Sequence, residues 1–235
     1  MNRYVIIVAG GRGLRMGGSL PKQFIPLEGK PVLMHTLETF HRWDATARIV
    51  LVLPADQQSY WAMLCREIGC RVPHTVATGG ETRFHSVLNG LRMVRSLPGF
   101  SESDALVAVH DGVRPFVSPS VIEACFGEAE KTGAAIPALP MVESLREKLD
   151  DGSSRPVDRS RFVSVQTPQV FRASLLRDAY DQPYTPFFTD DASVVEAAGH
   201  PVSLVEGNRE NIKLTTPVDL EMARAILGEE LGKDS

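Results

Sequence analysis

The stretch VIIVAGGRGLRMGGSLPKQF, residues 5–24, sets the reading of the whole chain. A β-branched apolar run, Val5 to Val8, enters a loop with five glycines, and Arg12, Arg15 and Lys22 stand among and just beyond them. An unbroken apolar run of this length predicts a strand buried on both faces, and such strands belong to parallel sheets covered by helices. A glycine loop after a first strand lets backbone N–H groups approach a bound anion closely.

The loop fits neither of the two common phosphate cradles. A dinucleotide fingerprint needs G-x-G-x-x-G opening directly into a helix. Gly11-Arg12-Gly13-Leu14-Arg15 is followed by Met16, and Pro21-Lys22 intervenes before a helix can start. A Walker loop needs lysine after the second glycine. Gly13 and Gly18 have the spacing, but Ser19 takes that place. What remains is a long loop that gathers cations. Two unit charges about 4 Å apart repel by roughly 4 kcal/mol at a surface-like dielectric. Three cations on one loop therefore point apart into water or share a polyanion, and the glycines favour a triphosphate.

Outward from the loop, apolar runs recur at Tyr4–Ala9, Arg48–Leu53, Ala105–Val109 and Ala134–Leu139, with weaker ones at Arg71–Ala77 and Pro201–Glu206. Helical periodicity fills the intervals: Pro31–Arg42, Asp56–Glu67, Glu81–Leu97, Pro119–Lys131, Ala173–Tyr180, Asp190–Ala198 and Pro217–Leu227. Ser118-Pro119 reads as an N-cap followed by proline at the first helical position. Thr189-Asp190-Asp191 reads as another helix start. The alternation predicts an α/β fold, a mostly parallel Rossmann-like sheet with helices on both faces. From Pro140 to Thr167 the rhythm breaks. That stretch is polar and centred on Asp150-Asp151-Gly152, which predicts a protruding β-arm within a single domain spanning residues 1–235. Arms of this kind commonly pack on a second subunit.

The 235 residues carry a net charge of −4, which argues against nucleic acid as a partner. Cys65, Cys70 and Cys125 have no metal or redox spacing and read as reduced thiols. No apolar run is long enough for a bilayer, and the start is too short for a signal segment, so the chain reads as soluble, cytoplasmic and free of membrane. A second candidate site is VAVHDGVRPF, residues 107–116. It puts Asp111 past the end of a buried strand, where open α/β sheets hold ligands. One carboxylate beside a triphosphate suits Mg²⁺ or another divalent cation. His110 reads as structural, since no serine or cysteine nucleophile motif accompanies it. The absence of such motifs favours phosphoryl or nucleotidyl transfer, which needs only cations and a metal.

The set AGGRGLRMG with PKQF, GGETRFHSVLNGL, HDGVRPF, VDR with QTPQVF, TDDAS and VEGNRENIKLTTPVDL runs in order over nearly the whole chain. It resembles the 2-C-methyl-D-erythritol 4-phosphate cytidylyltransferases. The resemblance implies transfer of CMP from CTP to a polyol phosphate, with release of pyrophosphate, in the methylerythritol phosphate route to isoprenoid precursors. It implies that Arg15 and Lys22 meet the charge that builds on the α-phosphorus. Ala9, Gly10, Gly11 and Gly13, with Gly80, Glu81 and Ser86, are implied to bind CTP. Asp111 would contact nucleotide and metal, and Asp111, Arg114, Ser144, Arg159 and Lys213 the acceptor. Arg159 and Lys213 would position the attacking phosphate. Arm residues of the family reach the partner's site, which implies a homodimer through the arm.

Alone, each residue has a plainer reading: Lys213 a strand-end lysine, Arg159 an arm ion pair, Ser86 a solvent-facing helix residue, Glu81 a first-turn acid. Glu143-Ser144 stands where the family has Asp-Thr, His85 where it has aspartate, and Gly10 and Gly112 where alanines are usual. The arm changes bear on the acceptor, so a ribitol 5-phosphate or other pentitol phosphate cytidylyltransferase is the nearest alternative. A sugar-1-phosphate nucleotidyltransferase and a non-catalytic nucleotide sensor are further ones. Gly17-Gly18-Ser19-Leu20 in place of a Pro-Leu-Thr type segment argues against the first of these. The retained loop cations and Lys213 argue against the second.

Overall fold

The computed structural model describes residues 1–11 and 20–233. The chain forms β1 (Asn2–Val8), the short pair β2 (Pro26–Leu27) and β3 (Lys30–Pro31), α1 (Val32–Trp43), β4 (Arg48–Leu53), α2 (Ala55–Ile68) and β5 (His74–Thr78). It continues with α3 (Arg83–Ser96), β6 (Ala105–Asp111), α4 (Pro119–Thr132), β7 (Ala134–Pro140), β8 (Arg146–Lys148), β9 (Ser154–Pro156) and β10 (Val163–Val165). Last come β11 (Gln169–Arg172), α5 (Ala173–Tyr180), α6 (Asp191–Ala197), β12 (Ser203–Glu206) and α7 (Pro217–Lys233).

The main sheet runs β10-β7-β11-β6-β1-β4-β5, with β12 pairing β7. β5, β4, β1 and β6 are mutually parallel, and β12 is parallel to β7. β11 and β10 run antiparallel to their neighbours. The chain builds outward from β1 through β4 to β5, then returns across β1 to lay down β6. That reversal puts a topological switch point between β1 and β6, where ligands bind beyond the carboxyl ends of the strands.

Strand alternation decides which helices cover which face. Val5 and Ile7 of β1 join a core with α1, α2 and α4, in which Leu37, Phe40, Trp61, Ile122 and Phe126 are buried. Tyr4 and Ile6 point the other way, into a core with Val87 and Leu91 of α3, Leu176 of α5 and Val195 of α6. Both faces of β1 are thus covered, which is why its sequence is continuously apolar and not alternating. The caps follow the sequence: Ser118 Oγ accepts from Val121 N at 3.3 Å, and α4 and α2 both end at left-handed glycines, Gly133 and Gly69.

α3 lies unusually close to the sheet. A Cβ at Gly90 would come within 2.6 Å of Ile6 Cγ2 and 2.9 Å of Val52 Cγ2. Alanine there gains up to about 1 kcal/mol of helix propensity but overpacks the core by roughly 1–3 kcal/mol. Gly90→Ala is therefore expected to lower the melting temperature by roughly 2–6 °C in a calorimetric scan. An unchanged or raised value would mean that α3 slides freely on the sheet.

Three expectations are corrected. The segment 140–167 does not leave as one arm. Residues 146–156 form an exposed hairpin, but Val163–Val165 pairs with β7 in the main sheet. The strand expected from Arg71 starts at His74, since Pro73 has no N–H for a ladder. The helix expected from Glu81 starts at Arg83, because Thr82 caps it and its Oγ1 accepts from His85 N. Among the described residues no helix is long and apolar enough to cross a membrane.

Candidate active site

The carboxyl ends of the parallel strands are stitched to one another. Ala9 N donates to Val52 O at 3.0 Å, Gly79 N to Leu53 O at 2.8 Å, and Gly112 N to Val8 O at 2.9 Å. These bonds hold the loops after β1, β5 and β6 around one cavity of about 460 Å³. Ala9, Gly10, Gly11 and Lys22 line one side and Gly80, Glu81, Arg83 and Ser86 another, with Asp111 and Lys213 between them. Nine of the sequence candidates therefore share one wall system. Gly13 and Arg15, like Arg12, lie outside the described residues.

Lys22 is presented by a short 3-10 turn, Lys22–Phe24, whose next two side chains are buried. Phe24 packs edge-on to Tyr60, with ring centres 5.2 Å apart, and stacks on Trp61 at 6.2 Å. Gln23 Nε2 donates to Ala9 O at 2.9 Å and to Gln57 Oε1 at 2.6 Å. The lysine base is thus fixed from three directions. Gly11 leaves room for its stem: a Cβ there would lie 3.0 Å from Lys22 Cε.

The opposite wall is the turn before α3. Ser86 does not face solvent: it is buried, accepts from Gly80 N at 3.0 Å and donates to Thr82 O at 3.0 Å. That bond folds Gly79-Gly80 back over the start of the helix, so close that a Cβ at Gly80 would lie 2.4 Å from His85 Cβ. Glu81 precedes the cap, so it is a wall residue and not a first-turn acid.

Asp111 is the electrostatic centre. Lys213 Nζ lies 3.0 Å and Arg114 Nε 3.3 Å from Oδ2, while Arg83 Nε stands 3.7 Å from Oδ1. Burial opposes its charge, but Arg83, Lys213 and Arg114 together hold the carboxyl well below the usual carboxylate range. Arg114 does not line the cavity. Its guanidinium is committed to Asp111 and to Asn211 O, at 2.8 Å, so it supports the site from behind.

His110, next to Asp111, is fully buried. Thr167 Oγ1 lies 3.0 Å from Nδ1, Arg114 O lies 2.9 Å from Nε2, and the Phe40 ring packs edge-on at 4.8 Å. A neutral ring with its proton on Nε2 satisfies both partners, leaving Thr167 Oγ1 to accept from Asp111 N at 3.1 Å. Burial pushes this imidazole down to about 4, against 6.5 when free. The unfolded chain takes up the proton first, so stability is complete above pH 6.5 and is lost as pH falls toward 4. The loss is on the order of 3 kcal/mol by the lower limit. Melting curves between pH 7 and 4 should show this fall, and a His110→Asn variant should show less of it.

Ser144 and Arg159 do not reach the cavity within one chain. Both are exposed, and the Arg159 guanidinium donates to Val142 O. Sequence reasoning missed Arg83 and Gln23. Each stood inside a motif already singled out, GGETRF and PKQF, but nothing local marks a helix-start arginine or a turn glutamine as a wall residue.

A family model of 2-C-methyl-D-erythritol 4-phosphate cytidylyltransferase matches residues 4–229. The chain belongs to that family. It is 59% identical over 227 residues to the cytidylyltransferase of that name from Bacteroides thetaiotaomicron, covering 97% of this chain and 100% of the relative. The protein of the same name from Geobacillus kaustophilus is 39% identical over 235 residues, covering 99% and 100%. The crystal structure of the cytidylyltransferase from Thermus thermophilus superposes with a TM-score of 0.72 at 33% identity, over 96% of this chain and 98% of that one. The cavity at the β1/β6 switch point thus lies in a fold shared with known cytidylyltransferases.

Proposed function

We propose that this chain, a single nucleotidyltransferase domain, transfers CMP from CTP to 2-C-methyl-D-erythritol 4-phosphate and releases pyrophosphate. The observation that carries the reading is the convergence of Arg83 and Lys213 on Asp111, in a cavity that Lys22 and a glycine turn also line, in a chain of the cytidylyltransferase family. An acceptor phosphate oxygen attacks the α-phosphorus, and the bond to the bridging oxygen of the β-phosphate breaks on the opposite side. The attacking group is already an anion, so no protein base is needed, in keeping with a His110 that is sealed away.

Charge gathers on the five-coordinate phosphorus, where Lys22 and Arg15 act as fixed cations. Ala9, Gly10 and Gly11 line the cavity with Gly80, Glu81 and Ser86, and together with Gly13 they bind the nucleotide. Lys213 positions the acceptor phosphate, and Arg114 holds Asp111 in place. Asp111 belongs to no ready-made metal cage: the described residues contain no group of three or more His, Cys, Asp or Glu that could hold a metal. One ionised carboxylate fits a divalent cation whose other ligands are phosphate oxygens and water. Bound there, Mg²⁺ would neutralise part of the triphosphate charge.

Ser144 and Arg159 belong to the acceptor site of a second subunit, in a homodimer joined through the hairpin. Val142, Phe162 and Val163 beside it are exposed in the single chain and would be covered there. The test is turnover with CTP and each of two acceptors, methylerythritol 4-phosphate and ribitol 5-phosphate, read as pyrophosphate release. Faster reaction with ribitol phosphate overturns the acceptor assignment. A monomer in light scattering at assay concentration overturns the dimer.

A further inference from the structure

Asp191 reads in the sequence as part of a helix start, yet the structure gives that duty to its neighbour. Asp190 caps α6, its Oδ1 accepting from Ser193 N at 2.9 Å. Asp191 turns inward and is completely buried. Both of its oxygens are used: Tyr180 Oη donates to Oδ1 at 2.6 Å, and Arg83 Nη2 to Oδ2 at 2.6 Å. A buried carboxylate is costly to keep, and an apolar residue of similar size often serves stability as well or better. Its partner Arg83 also faces Oδ1 of Asp111, and its Nε stands there at 3.7 Å, beyond hydrogen-bond reach. Lys213 and Arg114 both sit on Oδ2. Asp191 therefore draws Arg83 away from Asp111 and leaves Oδ1 without a direct hydrogen bond from that guanidinium.

We infer that Asp191 is a positioning residue for the reaction: it clamps Arg83 at the cavity wall, so that Asp111 keeps one carboxylate oxygen for the bound ligand. Without the clamp, Arg83 closes on Asp111 as a direct pair and takes that oxygen. The inference rests on Asp111 belonging to the reaction site, as proposed above.

The test compares four variants of the full chain by steady-state turnover, calorimetric CTP binding and thermal melting: Asp191→Asn, Asp191→Asn combined with Arg83→Gln, Asp111→Asn and Leu176→Ala. Asp191→Asn keeps the shape and the tyrosine contact but loses the anion, which frees Arg83 to close on Asp111. Its turnover at saturating CTP is expected to fall by about 10²-fold, the scale of a small misplacement of a reacting group. CTP affinity moves far less than turnover. Adding Arg83→Gln removes the cation that would close on Asp111, so the double variant recovers most of that loss; the two changes are coupled and not additive. Leu176→Ala, a buried truncation on α5 in the same core as α6, lowers the melting temperature but leaves turnover at 25 °C unchanged. If Asp191→Asn does not fold by itself, the double variant decides: turnover near that of the parent supports the clamp, and a loss as deep as that of Asp111→Asn overturns it. Parental turnover in Asp191→Asn, or no recovery in the double variant, with a crippled Asp111→Asn overturns the clamp alone. Parental turnover in Asp111→Asn overturns both the clamp and the site assignment beneath it.

Discussion

Lys22→Ala is expected to lose at least roughly a hundredfold in turnover while still binding CTP and folding normally. The ammonium is a fixed charge at the cavity wall, and its value lies in meeting charge that develops only during the displacement. The fold does not depend on it. The turn that carries it is pinned by Phe24 against Trp61 and by Gln23 on Ala9 O, and neither contact involves the lysine head. Pyrophosphate release at saturating CTP, set beside calorimetric binding, separates the two effects. Near-full turnover in the variant would remove Lys22 from the chemistry.

Lys213→Ala is the second large loss, about 10²–10³-fold in kcat/KM, with most of it in KM for the acceptor. Lys213 sits between two buried residues that fix its backbone. Asn211 Nδ2 donates to Thr167 O at 2.9 Å, and Leu214 is buried with its N–H on Val113 O at 3.0 Å. Its ammonium is half-exposed, so the pair with Asp111 contributes little to stability, and the melting temperature should move by no more than about 2–3 °C. Arg114 and Arg83 remain on Asp111 after the substitution. Lys213→Arg should recover only part of the activity, because a longer planar fork cannot put its charge where a compact ammonium stood. A loss confined to the KM for CTP would shift Lys213 from the acceptor to the nucleotide.

The parts of the fold that could be read directly were those whose physics is local. β1, β4, β6 and β7 are apolar runs because both of their faces are covered, and α4 begins where Ser118 and Pro119 say it does. β10 and β11 were hidden for the opposite reason. They are short and antiparallel, and Gln169 in β11 is polar although buried, its amide committed to Asp190 Oδ2 and Ala192 N. The cavity walls were legible where glycine marks a close approach. Ser86 was ambiguous until the turn over Gly80 gave its hydroxyl two partners. Arg83 was invisible, because its meaning depends on Asp191, 108 residues further along the chain.

The β8–β9 hairpin carries one more consequence. It is a two-stranded ribbon with every strand residue exposed, held by its ladder and by surface pairs such as Arg146 Nε on Ser154 Oγ and Arg155 on Glu147. Such a ribbon is at best marginally stable by itself in water, so it opens at almost no cost while β1 opens only with the whole molecule. Its amides should exchange with deuterium within seconds in dilute protein and slow as concentration rises, long before the central strands exchange at all. In the proposed homodimer, catalytic competence is a property of concentration as well as of sequence, because this weakly held ribbon lies between the two proposed acceptor contacts, Ser144 and Arg159.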